Sequence, residues 1–149
     1  MNRLLRIVVG LVGVVLFLGS VFMANVMAEE DPTLKPGFYP AEYLKKKNPL
    51  PLTLQTLQEG RKIYMGHCEV CHGARGDGQG DAAIIAKYDP MPRNFTDSEL
   101  MKKKTDGMLF YSVTRGVHGT MMIPREIILN EDQRWAVIWY VRTFAKLGE

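Results

Sequence analysis

Cys68-Glu69-Val70-Cys71-His72 is where side chains of matched chemistry crowd together in this 149-residue chain. Two thiols three residues apart lie on one side of a helical turn, with the imidazole of the next residue beside them. Several chemistries use such a pair. A thioredoxin-like redox couple needs a preceding strand and a βαβ setting, and no strand pattern precedes Cys68. A tetrahedral zinc site needs two further ligands. His67 and His118 are the only other histidines, and there is no second cysteine pair. A disulfide across three residues is strained and staples almost nothing. The reading that uses all three residues is attachment of a c-type haem, with His72 supplying an axial nitrogen to iron and each thiol adding to one vinyl group.

The elements that must position this motif read as helical. Leu54, Leu57, Arg61 and Tyr64 recur at spacings of three and four, which predicts one helical face leading into the motif. Gly73 to Gly80 is a glycine-rich loop, and no Gly-Lys-Ser/Thr follows to make it a phosphate cradle. Its expected role is to let backbone pass close to the haem where the motif's helix ends. Asp106 to Thr114 reads as a second helix. Asn130 is a plausible N-cap for a third, with Glu131 and Asp132 suited to the positive end of its dipole and Gly148 placed to end it. The run Trp135 to Val141 is apolar around most of its girth, so it is expected to be buried on more than one side, against the first helix and the haem edge. No run alternates with strand period over five or more residues. The fold class predicted is all-α.

Ahead of this unit lie two segments of different character. Met1 to Arg6 is a short basic head, and Ile7 to Met27 carries no charged residue. A basic head before an apolar run is the pattern of an export signal, and Val26-Met27-Ala28 offers a small-residue cleavage site. The run is also close to the about 20 residues a membrane-spanning helix needs. Residues 1–28 are therefore expected to be a signal peptide or a retained transmembrane anchor, and either puts Glu29 onward on the non-cytoplasmic side. Residues 29–52, with five prolines, are expected to be a linker, with Phe38, Tyr39 and Tyr43 able to lie against a surface. The folded domain is expected at 53–149. The formal charge of +3 includes Arg3 and Arg6, and the remainder carries 17 basic against 16 acidic residues. That balance argues against nucleic acid as a partner.

Gly60-Arg61-Lys62-Ile63-Tyr64, Cys68 to Gly73 and Gly76-Asp77-Gly78-Gln79-Gly80 together resemble the front half of a bacterial class I cytochrome c. Asp106 to Gly116 with Gly119-Thr120-Met121-Met122 resembles that family's sixth-ligand stretch, and Asp132 to Arg142 its last helix. The resemblance spans about Leu54 to Leu147. It implies a small helical domain wrapped around one covalent haem c whose business is electron transfer, not catalysis. Asn48-Pro49 ahead of the motif is similar, less specifically, to monohaem subunits of quinol-oxidising membrane complexes. Partners would then be redox proteins or other subunits of such a complex, with the membrane engaged through residues 7–27. The expected location is the periplasmic side of the bacterial cytoplasmic membrane, or the periplasm after cleavage.

The sixth ligand is open between several residues. Met91 lies only 19 residues after His72 and between prolines, while Met101 and Met108 read as core. The family pattern Gly-Thr-x-Met-Pro selects Met122. Here Ile123 intervenes before Pro124, which keeps Met121 as runner-up, and His118 or an open position as further alternatives. An open position would imply a sensor or enzyme-like haem protein. Pro92 is placed to give a backbone carbonyl to His72, and reads equally as an ordinary loop proline. Arg93 could meet a haem propionate or simply be solvated. Lys45–Lys47 and Lys102–Lys104 are either a docking ring for an acidic partner or solvated faces.

Overall fold

The computed structural model describes residues 37–147. The proposed signal or anchor at 1–28 lies outside the described residues. Among those described, no helix is long and apolar enough to cross a membrane. Seven helices follow in order: α1 (Ala41–Leu44), α2 (Leu54–His67), α3 (Glu69–His72), α4 (Asp81–Ile85), α5 (Ser98–Lys102), α6 (Asp106–Arg115) and α7 (Glu131–Leu147). The described residues contain no strand, as the absence of alternation predicts.

Helix starts follow from side chains that satisfy otherwise orphaned amides. Thr53 and Thr56 exchange bonds at the start of α2, with Thr56 N–H donating to Thr53 Oγ1 at 3.1 Å and Thr53 N–H donating to Thr56 Oγ1 at 2.9 Å. Asn130, the expected N-cap, accepts from Gln133 N–H at 2.9 Å and donates its own N–H to Gln133 Oε1 at 3.0 Å. Thr105 caps α6 by accepting from Met108 N–H at 3.1 Å.

Helix α7 is the centre of the domain. Trp135, Ala136, Val137 and Ile138 are consecutive and all buried, a full turn with no solvent face, and Val141 and Phe144 continue the buried side. Trp135 stacks on Phe110 of α6 with ring centroids 3.9 Å apart. Against its other side lies α2, through Ile63 and Tyr64 and, decisively, Gly60. A Cβ on Gly60 would overlap the carbonyl oxygen of Ala136. Of the predicted Leu54–Leu57–Arg61–Tyr64 stripe, Tyr64 is buried and Leu57 half-buried, and the other two are not part of the buried face. Leu54 is 73% exposed and Arg61 is exposed, and the buried set is Gly60, Ile63 and Tyr64. The contact runs through backbone at a residue with no side chain, which an apolar stripe cannot register.

Two glycines of α2 therefore predict opposite outcomes. Gly60→Val forces the helices apart at a cost of at least about 2 kcal/mol, which lowers Tm by about 8 °C or more for a domain this size. Gly66 has nothing within 4 Å of the position its Cβ would take, so Gly66→Ala should stabilise by about 0.4–1 kcal/mol through the unfolded chain. Thermal melts of the two variants check both signs.

Within the segment read as a linker, Tyr39 to Leu50 is packed as a strap, with Tyr39 and Tyr43 against a surface as the sequence allowed. Tyr43 lies against Phe110 and Tyr111, with centroids 6.4 and 4.9 Å away. Asn48 Nδ2 donates to Trp135 O at 2.8 Å, and Trp139 Nε1 donates to Leu50 O at 2.9 Å. Gly107 gives its N–H to Lys46 O at 3.0 Å. The prolines do exclude long regular elements, as read. What they do not exclude is a strap that, beside local turns such as Tyr43 N–H to Pro40 O and Leu50 N–H to Asn48 Oδ1, makes hydrogen bonds to distant residues. Arg142 of α7 closes the same side. It pairs with Asp106 Oδ1 at 2.8 Å and donates to Met101 O at 2.8 Å and to Lys104 O, tying α7 to the ends of α5 and α6.

Candidate haem site

Helix α2 runs directly into the motif: Cys68 breaks its geometry, with φ −124° and ψ −37°, and α3 restarts at Glu69. Both cysteines are free thiols and half-buried. The glycine loop then folds back on the motif. Gly78 N–H donates to His72 O at 2.8 Å and Gly80 N–H to Cys71 O at 3.1 Å. Gly78 takes a positive φ of 80°, and a Cβ there would overlap Pro92 O. The loop's glycines are thus needed for close approach to protein backbone, where the sequence pointed to the haem.

Cys68, Cys71 and His72 share one cavity of about 470 Å³, within the range of cofactor and ligand sites. Leu109 and Val113 of α6, Ile138 and Val141 of α7, and Phe95 give it apolar walls. His72 stacks on Phe95 at 4.6 Å between centroids. Its Nδ1 lies 3.3 Å from the carbonyl oxygen of Arg93. This corrects the assignment to Pro92: the carbonyl that meets His72 is one residue later, because Pro92's own is turned against Gly78. When Nδ1 carries the proton to that carbonyl, Nε2 keeps a lone pair, the tautomer a metal-ligating histidine needs. Burial holds the His72 pKa below the usual imidazole range, opposed by the bond to Arg93 O, so the ring is neutral at pH 7. Burial likewise pushes the Cys68 thiol up to about 11, partly offset by Arg125.

Met121 and Met122 also line the cavity, but Met121 is 61% exposed while Met122 is half-buried. Their loop is closed by its own bonds: Val117 N–H to Met122 O at 2.9 Å, Met122 N–H to Thr120 Oγ1 at 3.0 Å, and Thr120 Oγ1 to Val117 O at 2.8 Å. Gly116, at φ 74°, is the position where a Cβ would overlap Met122 O. Met91 also lines the cavity and is 46% exposed. His118 is exposed and does not line it, and Met101 is core. Met108 Sδ accepts from Thr105 N–H at 3.4 Å, a capping position.

Pro92 and Arg93 both line the cavity, and the Arg93 residue is exposed. None of the six lysines of the two runs lines it. Lys46 and Lys104 lie over the rings of Tyr43 and Tyr39, each 4.8 Å from the centroid, and Lys102 pairs with Glu99 at 3.0 Å. Residues that sequence reasoning missed include Tyr39, which reaches the cavity from the strap, and Arg125. Neither sits in a periodic or motif-like pattern.

The donor set fits a haem. Two free thiols, an imidazole and a soft thioether from the Val117–Met122 loop line one largely apolar cavity. It does not fit a bare metal ion, since among the described residues no three of His, Cys, Asp and Glu converge.

An all-helical domain closed around such a cavity defines a small haem protein of the covalently attached class. Residues 57–145, more than half of the chain, match the cytochrome c family model, and the chain belongs to that family. Its cofactor is haem c, and its chemistry is haem-based electron transfer. No curated protein matches the chain. Among solved structures, the c-type cytochrome KustC0563 is 29% identical over 57% of this chain and 95% of its own, with a TM-score of 0.49. A chain of the Kuenenia stuttgartiensis reducing HAO-like protein complex Kustc0457/Kustc0458 is also 29% identical, over 66% of this chain, with a TM-score of 0.52. This protein spans about half of that chain, 49%.

Proposed function

We propose that this protein is a monohaem electron carrier, exported and held at the periplasmic face of a bacterial membrane by residues 7–27, or free in the periplasm if that segment is cleaved. In this reading Cys68 and Cys71 would hold the haem covalently, and His72 and Met122 would ligate its iron. When bound, the haem supplies a one-electron ferric/ferrous couple. The chain's own residues supply the rest. Arg93 O orients the His72 ring and keeps Nε2 free of a proton. Leu109, Val113, Ile138 and Val141 exclude water from one face of the cavity. The closed loop from Val117 to Met122 fixes where a sulfur stands. The single observation that carries the reading is that both thiols, the neutral imidazole and Met122 share one cavity.

A second reading is a fixed haem subunit of a larger membrane oxidoreductase. Its support is the likeness to a chain of a reducing HAO-like protein complex. Intact mass of the protein from detergent-extracted membranes and from the soluble fraction tests these readings together with an optical redox titration. The carrier reading expects the mass of one haem on the chain, a six-coordinate low-spin spectrum and a one-electron Nernst slope. A high-spin spectrum that readily binds carbon monoxide would overturn it in favour of an open sixth position. Stable co-purifying subunits would favour the complex.

A further inference from the structure

The strap from Tyr39 to Leu50 lies ahead of residues 57–145, the region that carries the family match, yet it reaches the haem cavity. Tyr39 lines that cavity together with Leu109, Ser112 and Val113 of α6. The residue is half-buried and held from two sides. Its ring meets Tyr111 edge-on, with centroids 6.0 Å apart and planes at 70°. Lys104 Nζ lies 4.8 Å from the ring centroid and donates to the phenolic oxygen at 3.4 Å.

The backbone that follows Tyr39 is fixed as closely. Tyr43 N–H donates to Pro40 O at 2.9 Å, which turns the chain into α1 directly after Tyr39. At Gly107 of α6 the strap passes backbone to backbone: Gly107 N–H donates to Lys46 O at 3.0 Å, and a Cβ there would overlap Tyr43 O. Asn48 and Leu50 then bond to Trp135 and Trp139 of α7. Ordering such a segment costs conformational entropy, which these contacts offset, and the side chain it brings to the cavity is a large aromatic ring. A ring on the wall of a cofactor cavity displaces water and sets which reagents approach the cofactor. We infer that Tyr39 belongs to the haem site: its ring shields the strap side of the cavity from water and small redox reagents, so the electron-transfer site of this chain is incomplete without the strap.

This inference rests on the haem reading, so the test separates the two. Tyr39→Ala, Tyr39→Leu and Tyr39→Phe, made in the full chain, would each be checked for covalent haem by intact mass and titrated optically. The ferrous protein would then be oxidised by ferricyanide, which takes one electron per haem and becomes ferrocyanide, with rates compared at equal driving force from the measured potentials. Tyr39→Ala is expected to react several-fold faster, and Tyr39→Leu to show a smaller gain. Tyr39→Phe keeps the ring and is expected to keep the rate. Should Tyr39→Ala fail to load haem, Tyr39→Leu decides: loading with a faster rate supports the inference, and failure of both makes Tyr39 a folding residue and overturns it. A lower Tm with no gain in rate in the loaded variant makes Tyr39 a packing residue and also overturns it. A gain as large in Tyr39→Phe would assign the effect to the hydroxyl and not the ring, with the same result. Absence of haem from the unmodified protein would instead sink the haem reading itself.

Discussion

Replacing Cys68 and Cys71 together with alanine is expected to leave a chain with no covalent haem and no cooperative fold. The first half follows from the thioethers, since those sulfurs are the only covalent handles in the cavity. The second follows from its size. An unfilled cavity of about 470 Å³ leaves the apolar walls from Leu109, Val113, Ile138 and Val141 without packing partners, and native domains have only about 5–15 kcal/mol of stability in total. Each single alanine variant should keep one attachment and a weaker fold. Acid–acetone extraction followed by intact mass reads attachment, and loss of a cooperative thermal transition reads folding. Haem surviving extraction in the double variant would refute the thioether assignment.

The motif was legible because it is local: five consecutive residues carry the whole attachment chemistry. The start of α7 was equally legible, since Asn130 makes the N-cap bonds its position in the sequence predicts. What could not be read depends on distance. Gly60 marks the α2–α7 crossing by lacking a side chain, so apolar periodicity found Tyr64 but not the centre of the contact. The strap from Tyr39 to Leu50 finds its partners 58 to 89 residues away, at Asp106, Trp135 and Trp139, and its prolines read locally as a linker. The carbonyl that orients His72 belongs to Arg93 because Gly78 approaches Pro92 from the other side. Arg125 has no local signature at all; only the fold shows it lining the cavity with its Nε removed from solvent.

Met122→Ala is expected to abolish the sulfur-to-ferric-iron charge-transfer band at the red end of the spectrum. Met121→Ala is expected to keep it. Both residues reach the cavity, so position in the loop discriminates. Met122 is pinned on both sides of its peptide, by Val117 N–H and by Thr120 Oγ1, and is half-buried. Met121, 61% exposed, has the exposure of a residue at the cavity's mouth. A thioether favours ferrous over ferric iron, so losing it should lower the potential by more than a tenfold shift in the couple, beyond about 59 mV. Alternatively the vacated position takes up an added ligand. Thr120→Val, which removes the hydroxyl that bridges Met122 N–H and Val117 O, should weaken the band without abolishing it, because the sulfur remains and only its tether is lost. The band lost only in Met121→Ala would move the ligand one residue back. A band kept in both single variants would mean that either sulfur can serve, and the double variant then decides. No band in the unmodified protein would exclude both methionines and point to another ligand or an open site. His118 is poorly placed to replace them, since it is exposed and does not line the cavity that Cys68, Cys71 and His72 share.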